Sequence, residues 1–432
     1  MAPLIAFFLI FVWSHVSSAY TVNRFMGERT LVQLRRGADV QAHKRFLEAH
    51  QLESKIVYWY DLGEEFQGYA LEEPYAYFGD PESHSLIRRR RDVELMEQDA
   101  IATIDACQTG AAWHLARISQ PKFPLPRPNI YTYSYGPFEN VTAYIIDTTI
   151  DTTHPDFEGR ARIGASFASG ANGHGTHVAG LIGSRTYGVM KEAQLVGVSV
   201  LDGSGTGLYS TMAAGLTWAL QHYHRSKTTA VINMSVGGPQ SDFMNNAVNA
   251  VVSAGLPVVV AAGNNGKDAC ATSPASASLA ITVGSIGQTN NVLSAFSNRG
   301  NCVTLLAPGE QILSTWLNGY TAWLDGTSMA TPIVSGIVLT YLSWLPRLSP
   351  GSCKHKLIND AFKGLATGVP NDGTPNLIVS NGFSDDSSCP SYVHFGRYQH
   401  HHRDFASGAG GNTDETGAEA QGAFLGLDIP RG

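Results

Sequence analysis

The chain has 432 residues and a formal net charge of −7; 43% of its residues are apolar, only 15% are charged and 45 are glycine. Against the ~25% charged residues of an average soluble domain, this profile excludes a wholly disordered, coiled-coil or collagen-like chain, and the length suits one large domain with an accessory segment or two to three domains. The acidic balance leaves no electrostatic footprint for nucleic acid, and five cysteines are too few for a disulfide scaffold.

Residues 4–13 form an apolar run shorter than the ~20 residues that span a bilayer, and Ser17-Ser18-Ala19 supplies small residues suited to cleavage before Tyr20. Residues 1–19 therefore read as a signal peptide, which predicts a secreted, extracellular chain without a membrane partner and permits disulfides. The most apolar later stretch, 333–345, contains Ser, Thr and Tyr and suits a buried helix. Residues 20–105 are charged and mixed; 30–34 alternate like a strand and 40–50 carry helical spacing, which predicts a small α+β unit. Within it, Arg88-Arg89-Arg90-Arg91 reads either as a solvated charge run or as a cut site for a basic-specific processing protease. Residues 121–128 are a proline-rich loop.

From residue 141 the texture changes to apolar runs alternating with helical segments. The runs 141–146, 194–201, 230–236, 257–262 and 280–285 read as strands buried on both faces, and 175–184, 210–222 and 243–254 as crossover helices, which predicts an α/β fold with a parallel sheet. Residues 391–432 turn to Gly, Ala, Asp and Glu and are expected to be a disordered tail. His400-His401-His402 has no accompanying Cys or carboxylate spacing and reads as incidental rather than metal-binding.

Ligands of open parallel sheets gather outside the carboxyl ends of the strands. There, strand 141–146 delivers Asp147, a helix mouth flanked by Gly173 and Gly175 carries His174, strand 257–262 ends in Gly263-Asn264, and Ser328 stands where a loop enters the buried helix. A serine hydroxyl is a poor nucleophile until a base takes its proton, the base needs an orienting carboxylate, and the oxyanion needs fixed donors. Asp151 and Asp156 are other candidate acids, but only Asp147 ends the apolar strand. His177, one helical turn after His174, reads as a structural residue. Taken alone, Ser328 could cap a helix and Asn264 a turn.

The segments Tyr144-Ile145-Ile146-Asp147, His154-Pro155-Asp156-Phe157-Glu158-Gly159, Asn172-Gly173-His174-Gly175-Thr176-His177, Ala261-Ala262-Gly263-Asn264-Asn265 and Gly326-Thr327-Ser328-Met329-Ala330-Thr331-Pro332 resemble, in this order, those of the subtilisin-like serine proteases, with the proteinase K branch nearest. The match runs from Ala106 to about residue 370. The resemblance implies a subtilisin-like three-layer domain with a central parallel sheet at 106–390, preceded by a small α+β, ferredoxin-like inhibitory prodomain at 20–105. It makes Ser328 the nucleophile, His174 the base, Asp147 its orienting acid, and Asn264 with the Ser328 amide the oxyanion donors. Gly205, Thr206, Gly207 and Tyr209 on one side, and Ser235, Val236, Gly237 and Gly238 on the other, resemble the family's two substrate-flanking edges. With Ala261 and Gly263 they leave an apolar pocket without evident charge, so broad cleavage after apolar or aromatic residues is expected.

Further expectations follow from the resemblance. Glu97-Gln98-Asp99-Ala100 and 101–105 look like the end of a propeptide that assists folding and then blocks the site; self-cleavage near Asp105 would release a mature chain starting about Ala106. Cys270 and Cys302 are similar to a bridge of several relatives; pairing Cys353 with Cys389 then leaves Cys107 free. Asn140-Val141-Thr142 is a glycan acceptor, whereas Asn233-Met234-Ser235 lies in a buried strand and is rejected. Thr149 and Ile333 stand where the family usually has Gly and His, and the acidic calcium ligand near Ile286 and Gly287 is replaced. No cofactor is required for the chemistry; a structural calcium has Asp360 as a candidate ligand. The expected protein is thus a secreted, monomeric endopeptidase for polypeptide substrates, made as a self-processing zymogen with its own prodomain as intramolecular inhibitor. The alternative is a protease-fold binding protein whose retained prodomain stays clamped over the site. An α/β-hydrolase esterase is a poor fit, because the G-x-S-x-G elbow and its Ser, Asp, His order are missing.

Overall fold

The computed structural model describes residues 26–72, 82–100, 104–126, 128–135 and 141–383. The expected signal peptide at 1–19, the sequon residue Asn140, Cys389, the histidine triplet and the tail at 391–432 lie outside the described residues.

In the leading unit, β1 (Met26–Leu34), α1 (Val40–Ala49), β2 (Ile56–Asp61), β3 (Gln67–Leu71), α2 (Glu82–Arg88) and β4 (Val93–Ala100) follow one another, and the strands pair as an antiparallel sheet in the order β2-β3-β1-β4. The Asp39 carboxylate starts α1 by accepting from the Ala42 N–H at 2.9 Å. One turn apart, His43 and Leu47 then face a core with Val32, Leu34, Tyr69, Leu71 and Ile87. This is the α+β, ferredoxin-like arrangement expected. The arginine run ends α2 and turns into β4: Arg90 pairs with Asp92 and lies 4.2 Å from the centre of the Phe46 ring, while its three neighbours in the run are exposed.

The second unit runs β5 (Ile104–Thr109), α3 (Trp113–Ile118), β6 (Ile130–Tyr135), β7 (Val141–Asp147), β8 (Ala161–Ser166), α4 (His174–Gly183), β9 (Gln194–Ser199), α5 (Tyr209–Ser226), β10 (Thr229–Met234), β11 (Gly238–Pro239), α6 (Asp242–Ser253), β12 (Val258–Ala261), β13 (Thr272–Ser273), β14 (Ile281–Ile286), β15 (Leu305–Pro308), β16 (Ile312–Thr315), β17 (Thr321–Leu324), α7 (Thr327–Trp344), α8 (Pro350–Asp360), β18 (Phe362–Lys363) and β19 (Leu377–Ile378). Its nine-stranded sheet has the order β18-β19-β15-β14-β12-β10-β7-β9-β8, parallel except where β18 meets β19.

Alternate residues of each central strand serve opposite cores. Ala143 and Ile145 of β7 pack with α4 and α7 on one side, while Tyr144 and Ile146 pack with α5 and α6 on the other. Both faces are covered, which is why these strands read as continuous apolar runs. After β7 the chain adds β8 and β9 on one flank, then crosses to place β10 on the other. The carboxyl end of β7, and with it Asp147, therefore sits where the strand order reverses, the place at which such sheets open a crevice.

Among the buried histidines, His43, His114 and His177 are held toward the neutral form. Burial pushes His114 down to about 4 and His177 to about 3, against the pull of carbonyls that accept from their Nε2 atoms, and it holds His43 below its ordinary value although Asp92 opposes this. Because the unfolded chain accepts protons that these sites refuse, their contribution to stability is full above pH ~6.5 and is lost as the pH falls toward 4 and 3. Thermal melts on acidification should therefore show Tm falling from below pH ~6.5 onward. A Tm that stays level or rises down to pH ~4 would contradict this account.

Candidate active site

Asp147 is fully buried. Its Oδ1 accepts from the Thr148 backbone N–H at 2.7 Å and from His174 Nδ1 at 2.8 Å. His174 begins α4 because the preceding Gly173 takes φ 92°, and a Cβ there would lie 2.4 Å from the Trp316 ring. The helix start is tied to the strand end by the Gly175 N–H, which donates to Thr148 Oγ1 at 2.9 Å. Burial alone would lower the His174 pKa, but the charge of Asp147 and the hydrogen bond to it outweigh that, so the imidazole sits above its ordinary value. Nδ1 is thus the donor to Asp147, and Nε2 is left as the basic atom.

Ser328 is the second residue of α7. Its Oγ donates to the Ser235 carbonyl at 3.2 Å, and among the described residues no hydrogen bond joins it to His174. Such contacts are often loose without substrate. Asn264 follows β12, and its Oδ1 accepts from both the N–H (2.9 Å) and the hydroxyl (2.8 Å) of Thr327. Its amide group is thereby turned: a Cβ placed on Gly326 would lie 3.5 Å from both Asn264 Nδ2 and the Ser328 nitrogen. Two nitrogens of different chain segments, Asn264 Nδ2 and the Ser328 backbone N, thus lie close to one point, as a pair of donors to one oxyanion would.

All ten sequence-predicted substrate residues line one of two clefts that share residues 235–239. Gly205, Thr206, Gly207 and Tyr209 face Ser235, Val236, Gly237 and Gly238 across a cleft of about 610 Å³ that reaches His174. Ala261 and Gly263 join the latter four in a second cleft of about 580 Å³ that holds Asn264 and Ser328. Tyr209 ties the two edges together, its hydroxyl donating to the Pro239 carbonyl at 2.6 Å. The second cleft differs from the expected charge-free pocket, since Lys267 and Asp268 contribute to its wall. Their opposite charges leave the pocket without net charge. Among the described residues of 26–100, none lines either cleft.

The Cys270 to Cys302 disulfide is present. The other pairing expectation is overturned: Cys107 is disulfide-bonded and, among the described residues, Cys353 is the free thiol, buried and pushed up to about 12 by that burial. Cys353 faces inward from α8 one turn before Leu357, so it is a core residue. Asp360 Oδ2 holds Lys356 Nζ at 2.9 Å and accepts from the Tyr341 hydroxyl at 2.8 Å. Among the described residues no group of three or more His, Cys, Asp or Glu is placed to hold a metal. His177 donates to the carbonyls of Ile312 and Ala322, fastening the β16-β17 hairpin to α4.

Sequence reasoning missed Thr327 and Thr148, which act through Asn264 and the start of α4. Thr327 stood inside a quoted motif, but nothing local marks its bond to a residue 63 positions away. If its amide donates to the oxyanion, Asn264→Ala should lower kcat by about 10²- to 10³-fold with little change in KM, the scale of losing one side-chain oxyanion donor. Steady-state kinetics check this, and a loss below about tenfold would remove Asn264 from the oxyanion site.

A profile of the subtilase family matches residues 139–410. The subtilase-type proteinase psp3 of Schizosaccharomyces pombe is 40% identical over 339 residues, covering 75% of this chain and 73% of its own. The cuticle-degrading protease of Metarhizium anisopliae is 42% identical over 313 residues, covering 70% and 78% respectively, and proteinase T of Parengyodontium album is 43% identical over 296, covering 67% and 99%. A crystal structure of a cold-adapted subtilisin-like serine proteinase is 39% identical with a TM-score of 0.59, covering 63% of this chain and 99% of that one.

Proposed function

The chain belongs to the subtilase family and is a serine endopeptidase of the proteinase K branch, and from that premise we propose that Ser328, His174, Asp147 and Asn264 carry out its chemistry. The observation that carries this reading is the 2.8 Å bond from His174 to buried Asp147 at the reversal point of the sheet, with Ser328 and Asn264 on the adjoining cleft.

Ser328 turns its Oγ–H from the Ser235 carbonyl to His174 Nε2. As Oγ bonds to the scissile carbonyl carbon, its proton passes to Nε2, and Asp147 stabilises the imidazolium and keeps Nδ1 the donor. The carbonyl oxygen, now anionic, accepts from Asn264 Nδ2 and the Ser328 N–H. Collapse breaks the C–N bond, and the leaving amine takes the proton from Nε2. Water then attacks the ester with His174 again as base, and the proton returned to Oγ restores the resting serine.

In this reading the protein is a secreted zymogen acting as a monomer: 1–19 is its signal peptide, 20–105 its inhibitory prodomain, 106–390 its peptidase domain and 391–432 its tail, with a glycan on Asn140. Among the described residues no helix is long and apolar enough to cross a membrane. The cut near Asp105 falls within β5, where Asp105 pairs with Ser134 and Ala106 with Tyr133. Self-cleavage thus requires 104–109 to leave that strand, and the new N-terminus would close it afterwards.

Small residues at 235–238, 261 and 263 and the absence of net charge favour apolar or aromatic side chains next to the cut. A matched peptide series should show kcat/KM at least about tenfold higher for Phe or Leu than for Lys before the scissile bond. Equal values across the series would overturn this specificity.

A further inference from the structure

The nucleophile rests on a buried polar relay that extends two turns down α7. An α-helical carbonyl normally accepts from the N–H four residues on. For Ser328 that residue is Pro332, inside the helix and lacking an N–H. The vacancy is filled from another element: the Ser235 hydroxyl, just beyond the end of β10, donates to the Ser328 carbonyl at 2.8 Å. In return the Ser235 carbonyl accepts the Ser328 hydroxyl at 3.2 Å. The two serines, 93 positions apart, therefore hold each other by a reciprocal pair of bonds.

Ser235 is itself oriented from below. Its Oγ accepts from Asn233 Nδ2 at 3.0 Å, and Asn233 Oδ1 accepts from the Ser335 hydroxyl at 2.8 Å. Asn233 and Ser335 are fully buried and Ser235 nearly so. Filling the Oγ lone pair with an N–H donor commits the hydroxyl proton of Ser235 to the Ser328 carbonyl, and the bond from Ser335 fixes which way the Asn233 amide faces. Without Ser335 the amide loses its orienting donor and Ser235 its fixed rotamer. The Ser328 carbonyl is then left unpaired, and the first turn of α7 is free to shift the nucleophile.

We propose that Asn233 and Ser335, neither of which lines the clefts, are positioning residues that set the attack geometry of Ser328 through Ser235. The inference rests on Ser328 being the nucleophile, and it adds a function for two residues outside the motifs. Displacements well under 1 Å are enough to cost an order of magnitude in a step that depends on near-attack geometry.

The test is kinetic. Active sites of the native chain, Ser335→Ala, Ser235→Ala, the double variant and Ser335→Thr are counted by burst titration, and kcat is expressed per titrated site, with Tm measured alongside. Ser335→Ala is expected to lower kcat about five- to tenfold with KM within twofold, and Ser335→Thr, which keeps the hydroxyl, to retain native kcat within about twofold. In the Ser235→Ala background, Ser335→Ala should add less than about twofold, because the relay is already cut. An unchanged kcat per site with only a lower Tm, or an equal factor in both backgrounds, would show a purely structural role and overturn the proposal. No burst from the native chain would instead overturn the assignment of Ser328 itself.

Discussion

Ser328→Ala is expected to lower turnover of a good peptide substrate by about 10⁶-fold, a magnitude carried over from removal of the nucleophile in subtilisin. The reason is local. The hydroxyl shares a cleft with Asn264, and in the proposed mechanism it alone can form the acyl ester, so the paired Asp147 and His174 have no nucleophile to activate without it. What survives is the oxyanion site and the two clefts, which still bind and polarise a peptide, so KM should change little while kcat collapses. Folding should be nearly untouched, since Ser328 Oγ makes one hydrogen bond of 3.2 Å at a partly exposed position. Kinetics with matched circular dichroism check this. A native-like variant retaining more than about a hundredth of the activity would rule Ser328 out as nucleophile.

Asp147→Asn should cost about 10⁴-fold in kcat/KM, again on the scale seen when a triad acid is removed. An asparagine placed here can offer an N–H where Oδ1 now accepts, which inverts the imidazole and puts the Nε2–H toward the nucleophile. The pH profile supplies a second readout. Asp147 raises the His174 pKa above its ordinary value, so activity in the native enzyme rises with pH through a midpoint above 6.5, where the imidazole becomes neutral. With the charge gone, burial is unopposed and the pKa falls. The acid limb of the residual activity should accordingly move to lower pH even as the maximum drops. A limb that stays in place, or moves up, would mean that His174 is not the titrating base.

Much of this arrangement was legible in the chain because it is local or periodic. The strands β7, β10, β12 and β14 are buried on both faces and so read as unbroken apolar runs. Asp147, His174, Ser328 and Asn264 stand at or just beyond element ends, where strand apolarity stops or glycines cluster. Other elements carried no such mark. The edge strand β8 is largely exposed, and β18 and β19 have two residues each, too short for a pattern. The hairpin of β16 and β17 depends on His177 holding two carbonyls more than 130 residues away.

The same limit governs the site. Thr327 orienting Asn264, and Ser335 reaching Asn233 across 102 positions, are hydroxyl bonds between distant segments, and a lone Ser or Thr has no sequence signature for them. The misassigned cysteine shows the converse. Cys353 stands one helical turn before Leu357 on α8, and that spacing of two inward residues was the available sign that it belongs to the core. Lys267 and Asp268 in the pocket wall follow from the bend after Asn264, which side-chain size alone did not reveal.

The central claim is that one chain holds a complete serine protease whose own Ser328 cuts it near Asp105. The N-terminal sequence and mass of the secreted native chain and of Ser328→Ala, produced side by side, test it most directly. The account predicts a native product beginning near Ala106 and a variant that still carries residues 20–105; an identical N-terminus on both products would contradict it.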